Sequence, residues 1–166
     1  MKTNVLCEYF AKELAMEEPA SRKCVERVPM ELNTWKPHEK SMQMGYLTLL
    51  VAEIPLWIAK SIEESVIDFA SFSHFQPQSN AELVKHLDEN FARAKKALKN
   101  FSDEGLNEMF YLKSKGETLM SMTKLDTVSS SINHLAHHRG QLTVYMRLNN
   151  IPVPSIYGPS ADDQGF

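Results

Sequence analysis

The chain has 166 residues, close to the usual size of one domain, and 43% of them are apolar, which is enough to form a core without cross-links. Charged residues make up 23%, so the composition excludes wholesale disorder. Eighteen Lys and Arg against 21 Asp and Glu give a net charge of −3, whereas a nucleic-acid-binding domain is normally basic. We therefore predict a single domain over residues 1–166 and no nucleic-acid partner.

The sequence gives no sign of a membrane segment or of disulfides. Its apolar runs fall short of the roughly 18 to 20 residues of a membrane span, and its start lacks the apolar region of a signal peptide. Cys7 and Cys24 lie on one predicted helix, about 25 Å apart at ~1.5 Å per residue, which is too far for a disulfide. We expect reduced core thiols and a cytoplasmic protein.

Four segments have apolar residues three or four positions apart, the spacing that predicts amphipathic helices. They cover residues 4–28, 41–65, 79–101 and 123–150. Each segment has one apolar face, and the six glycines of the chain are about half the average usage. These features predict an all-α fold, an antiparallel (up-down) four-helix bundle with an extended C-terminal tail.

Two further segments lack helical periodicity. Residues 109–122 are interpreted as a loop or a short irregular hairpin. The tail, residues 151–166, contains three prolines and two glycines and is expected to be extended. Val153, Ile156 and Tyr157 would anchor it on the bundle, while the prolines reduce the entropy cost of ordering it.

The residues best suited to chemistry are a cluster of histidines on the fourth predicted helix. His134 and His138 are four apart, so they project within ~40° of each other, and two neutral imidazoles can share a Zn, Ni, Cu or Fe ion. The same HxxxH spacing also occurs in histidines that are simply buried and hydrogen-bonded or that lie on a polar face. Arg139 falls on the apolar stripe of this helix, which favours a structural ion pair with an inward carboxylate such as Glu17.

Two blocks of the sequence resemble the DinB-like (DinB/YfiT) family of metalloenzymes. One runs from Trp35 to Pro55 and includes Val51-Ala52-Glu53, and the other runs from Asn133 to Asp163. The resemblance spans nearly the whole chain. It implies a four-helix bundle in which three histidines hold a divalent metal, often nickel or zinc.

The resemblance also implies where the metal ligands would lie. The HxxxH pair on the fourth helix, here His134 and His138, would supply two of them. The third comes from the second helix, three residues before the Glu of the Val-Ala-Glu block, and this sequence has Leu50 there. Leucine has no lone pair, so Glu53 or Glu17 would have to substitute. We therefore expect nickel or zinc to be weakly bound or absent.

Two functions from different classes follow. The first is a binding or regulatory protein, a DinB-like bundle with a degenerate metal site. The second is a divalent-metal-dependent thiol S-transferase of the bacillithiol, mycothiol or glutathione type that uses His134 and His138, as the family resemblance implies. Residue 50 separates the two, since Leu50 favours the first. In either case we expect a small-molecule or thiol ligand, no membrane partner and, because family members often pair, a homodimer.

Overall fold

The structure is a computed structural model, and it describes residues 4–165. Within this range the chain forms four long helices, which are α1 (Val5–Arg27), α2 (Met44–Glu63), α3 (Asn80–Lys99) and α4 (Lys124–Leu148). It also forms three strands, which are β1 (Val66–Asp68), β2 (Met109–Ser114) and β3 (Glu117–Thr123). Each helix begins and ends within three residues of the segment predicted from apolar periodicity.

The predicted all-α class is wrong, because the segments between the helices form a three-stranded mixed sheet. Its order is β1-β2-β3, with β1 parallel to β2 and β2 antiparallel to β3. The β2–β3 turn has positive φ angles at Lys115 (52°) and Gly116 (83°). Asp68, at the end of β1, accepts hydrogen bonds from both backbone amides at 3.0 and 2.9 Å. Of the two interpretations of residues 109–122, the hairpin is therefore the correct one.

The predicted up-down order of the helices is also wrong, since α2 and α3 run parallel. Contacts between them advance in the same direction, with Glu53 near His86 and Glu63 bound to Arg93. Helices α1 and α3 are antiparallel, as the contacts Glu18–Lys95 and Arg22–Asp88 show. Helices α2 and α4 are also antiparallel, as the contacts Ile62–Lys124 and Met42–Tyr145 show. The four helices therefore form an up-down-down-up bundle. The long connection 64–79 makes this order possible, because it can span the ~30 Å length of a 20-residue helix.

Helix α2 packs against the three other helices and against β1. Among the described residues it is the one helix long and apolar enough to cross a membrane by length and composition. However, 67% of its most apolar window is buried inside the protein. Its apolar character is therefore that of a core helix.

The C-terminal tail packs back on the bundle, as predicted. Ile151 and Val153 are only 8% and 9% exposed and join the core. The Asp162 carboxylate accepts from the Val153 amide at 2.9 Å and binds Arg147 at 2.6 Å. Tyr157 differs from the expectation, since it is 73% exposed and is held through its hydroxyl group, not as an apolar anchor.

Shortening Val153 to alanine tests the docking of the tail. We expect Val153→Ala to lower the free energy of unfolding by about 1–2 kcal/mol, because two buried methyl groups are lost. The matched control is Val144→Ala on the outer face of α4, where the side chain is exposed and the change should stay within about 0.5 kcal/mol. Urea denaturation of both variants measures the difference. Equal effects would mean that the tail does not contribute to stability.

Both cysteines are free and fully buried, as expected for core thiols. Burial is the main reason that the pKa of each thiol is raised to about 11. We predict that neither thiol of the folded protein reacts with an aromatic disulfide reagent at pH 8, because the thiolate is the nucleophile. In concentrated urea both should react. Rapid reaction of one thiol under native conditions would contradict this prediction.

Candidate ligand-binding site

A cavity of about 780 Å³ lies between α2, α4 and the sheet, and its volume is typical of small-molecule sites. Most of its wall is apolar. Helix α2 contributes Leu50, Ile54 and Trp57, and the segment after β1 contributes Phe69. The apolar side chains of the sheet that complete this wall are Phe110, Leu112, Met120 and Met122.

The alternation of residues in the hairpin explains why the sheet covers the cavity. Side chains two apart on a strand point to the same face, and the cavity-lining residues are Phe110 and Leu112 on β2 and Met120 and Met122 on β3. They also face each other across the strands, since Phe110 pairs with Met122 and Leu112 with Met120. One face of the hairpin is therefore a continuous apolar surface over the cavity.

The opposite wall, formed by α4, is polar. Its cavity-lining side chains occur at helical spacing and are Thr127, Ser130, Ser131, Asn133, His134, His137 and His138. The core-facing stripe of the same helix is apolar, with Val128, Leu135 and Leu142 fully buried. Helix α4 therefore presents a polar face to a cavity that is otherwise apolar.

His134 and His138, which their spacing places on one face of the helix, are in direct contact. Their Nε2 atoms lie 2.7 Å apart, and His138 Nδ1 is 2.8 Å from Oε1 of Gln141. With Nδ1–H donated to Gln141, Nε2 of His138 has a free lone pair and accepts from Nε2–H of His134. Burial, reinforced by the neighbouring imidazoles, lowers the pKa of His134, and burial likewise lowers the pKa of His138. Both rings are thus neutral at pH 7.

These residues do not form a three-ligand metal centre. Leu50 lines the same cavity as the two histidines and offers no ligand atom. Within residues 4–165, no three His, Cys, Asp or Glu side chains are close enough together to hold a metal ion. A catalytic zinc-type centre normally has three protein ligands, and this site supplies two.

The two carboxylates considered as substitutes are engaged elsewhere. Glu53 accepts hydrogen bonds from the Phe75 amide at 2.7 Å and pairs with His74. Glu17 forms an ion pair with Arg139, as the sequence indicated, and this pair is buried between α1 and α4. Neither carboxylate lines the cavity beside the histidine pair.

His74 is the residue of this site that the sequence did not reveal. It lies in the connection between β1 and α3, lines the cavity and has its Nδ1 2.5 Å from Oε2 of Glu53. A single histidine in a segment without periodicity gives no signal of its own. An indirect signal for His74 was Glu53, because a carboxylate within the apolar stripe of α2 needs a buried partner.

Comparison with known proteins agrees with the fold. A sequence model of the DinB family matches residues 1–164. The uncharacterised protein YrdA of Bacillus subtilis (strain 168) is 53% identical over 32 residues, which cover 19% of this chain and 19% of YrdA.

Two solved structures have the same fold. A DinB-like protein, YjoA, from Bacillus subtilis is 18% identical with a TM-score of 0.66, and the match covers 87% of this chain and 96% of YjoA. A DinB-like protein from Bacillus cereus ATCC 10987 is 19% identical with a TM-score of 0.67, and the match covers 89% of this chain and 95% of that one. With the family match over nearly its whole length, the chain belongs to the DinB family.

Proposed function

We propose that this protein binds a small molecule in the cavity between α2, α4 and the sheet, without requiring a metal ion. The observation that carries the proposal is the division of the cavity into an apolar wall and a polar wall. A ligand with an apolar body and polar groups would place the body against Trp57 and the hairpin, and the polar groups against α4 and His74. This is the function expected of a bundle whose metal site has degenerated.

The alternative is a metal-dependent thiol S-transferase. The convergence of the His134 and His138 Nε2 atoms favours it, because both nitrogens could turn to one ion. The leucine at position 50 opposes it, because the third ligand is missing. Metal analysis of protein purified without chelator or nickel resin separates the two functions, since the transferase requires a stoichiometric metal.

A neutral fluorescent probe, N-phenyl-1-naphthylamine, tests the binding proposal. Its fluorescence should rise saturably with this protein, and a chelator should leave the affinity unchanged. Met120→Trp adds bulk to the cavity side of β3 and should weaken binding at least tenfold. The matched control is Leu119→Trp, because Leu119 is the preceding residue on β3, is 58% exposed and lies outside the cavity lining. It should bind within twofold of the original protein.

Two results would contradict the binding proposal. One is the absence of saturable probe binding by the original protein. The other is an equal effect, or no effect, of the two tryptophan substitutions. Circular dichroism of both variants checks that the fold is retained.

We also propose that the protein is a cytoplasmic homodimer. The reduced core thiols support the location. The outer face of α1 supports the dimer, since Val5, Tyr9 and Met16 are each more than half exposed. Sedimentation should give a species of twice 18.9 kDa, and an 18.9 kDa species alone at high concentration would contradict the dimer.

A further inference from the structure

The hydrogen-bonded pair of Glu53 and His74 beside the cavity has no specific role in the binding described so far. Glu53 is 1% exposed, and the basic side chains within 4.0 Å of its carboxylate, among residues 4–165, are the imidazoles of His74 at 2.5 Å and His86 at 3.8 Å. A buried carboxylate is costly unless it is hydrogen-bonded and balanced by a positive charge. With no lysine or arginine in that shell, the balancing charge has to come from an imidazole.

The two imidazoles are not equivalent. His86 stacks on Phe75 with ring centres 4.2 Å apart, and its Nε2 is buried without a hydrogen-bond partner in the described part of the chain. Burial lowers the pKa of His86, although Glu53 acts in the opposite direction. His86 is therefore neutral at pH 7. The ring of His74, in contrast, is hydrogen-bonded to the carboxylate and 32% exposed at the cavity.

The position of the His74 ring is fixed from several sides. Tyr46 and Phe72 contact it edge-on, with ring centres 5.7 and 5.2 Å away. The second oxygen of Glu53 accepts from the Phe75 amide, which fixes the backbone next to His74. Because Nδ1 is committed to Glu53, Nε2 is the nitrogen left for a ligand. Such preorganisation reduces the entropy cost of binding.

We propose that His74, oriented by Glu53, binds an acidic group of the ligand as its anion, so that the ligand of this cavity is a weak acid with an apolar body, such as a phenol. This inference rests on the proposed binding function of the cavity. When a phenol enters, its O–H bond breaks, the proton passes to solvent water, and the phenolate accepts a hydrogen bond from Nε2–H of the His74 imidazolium. Glu53 stabilises this positive charge by accepting the hydrogen bond from Nδ1–H.

His134 and His138 on the opposite wall do not provide this charge. Burial lowers the pKa of His134 and of His138, so both are neutral. Their Nε2 atoms are occupied by each other, and Nδ1 of His138 is occupied by Gln141. Among these three histidines, His74 is therefore the one placed to pair with an anion.

The test compares 4-nitrophenol with its methyl ether, 4-nitroanisole, which has almost the same shape but no proton to give. Both are measured at one fixed pH by displacement of N-phenyl-1-naphthylamine. The original protein should bind the phenol at least tenfold more tightly than the ether, which is about 1.4 kcal/mol. The visible absorption band of the phenolate should grow on binding.

His74→Gln should reduce the preference for the phenol to less than twofold, while circular dichroism stays unchanged and N-phenyl-1-naphthylamine still binds saturably. Glutamine retains a donor for Glu53 but cannot carry the charge. His38→Gln is the matched control, because His38 is exposed and lies outside the cavity lining, and the preference should persist there. If the naphthylamine binds but the original protein shows no preference for the phenol, or if His74→Gln keeps that preference, the role of His74 is overturned and the binding function stands. Absence of naphthylamine binding overturns both the role of His74 and the proposed binding function.

Discussion

Replacing Arg139 by methionine is expected to lower the free energy of unfolding by about 3–5 kcal/mol. The Arg139 side chain is 1% exposed and forms an ion pair with Glu17. It also donates hydrogen bonds at 3.1 Å to the Glu17 carbonyl and to the Ser21 hydroxyl. Methionine fills much of the same space, so the main loss is not a cavity. The substitution leaves the Glu17 carboxylate buried without its counter-charge, and urea denaturation measures the cost.

Two controls identify the unpaired charge as the cause. Arg147→Met removes an exposed ion pair with Asp162, whose side chains are 50% and 28% exposed, and should cost about 1 kcal/mol or less. Adding Glu17→Gln to Arg139→Met should recover at least about 1 kcal/mol, because a buried amide is less costly than a buried carboxylate. An Arg139→Met effect no larger than that of Arg147→Met would refute the structural role of this pair.

The helices could be predicted because their signals are local. The stripe of apolar residues places each helix, and the cap of α3 is visible in the sequence, where Ser79 accepts from the Glu82 amide at 3.2 Å. Thr123 caps α4 in the same way through Asp126. These signals act within four residues of one another, so they can be recognised without knowledge of the tertiary contacts.

The order of the helices and the sheet could not be predicted in the same way. Whether α3 runs parallel or antiparallel to α2 depends on the path of residues 64–79, which has no periodicity to interpret. Strand β1 is three residues long and becomes a strand only by pairing with β2, which lies far along the chain. Such pairings depend on contacts between distant residues, which one sequence does not specify.

In the candidate site, too, contacts within one helix could be predicted and contacts between distant residues could not. The His134–His138 contact follows from a four-residue spacing on one helix and was predictable. The partner of Glu53 was not, because His74 reaches it from a separate connection 21 residues away. Helical spacing places Glu53 near Leu50, but the Glu53 side chain turns to the connection 64–79 and not to the histidine pair.

Replacing Leu50 by histidine is expected to raise the affinity for nickel or zinc at least tenfold, about 1.4 kcal/mol or more. Leu50 on α2 lines the same cavity as His134 and His138 on α4, so an imidazole there would supply the third ligand from a facing helix. The lowered pKa values of His134 and His138 help, because protons compete with the metal only below neutral pH. Titration calorimetry at pH 7 with each metal measures the gain.

The control for this gain is His134→Ala in the Leu50→His background, which should return the affinity to that of the original chain. A surface histidine, Leu119→His, controls for adventitious binding, because Leu119 is exposed and outside the cavity lining. It should give no gain. If the original chain already binds one metal ion tightly, or if Leu50→His brings no gain while the fold is retained, then the missing ligand is not at residue 50. In that case a metal ion bound by the histidine pair would have to take its third ligand from a residue outside α2.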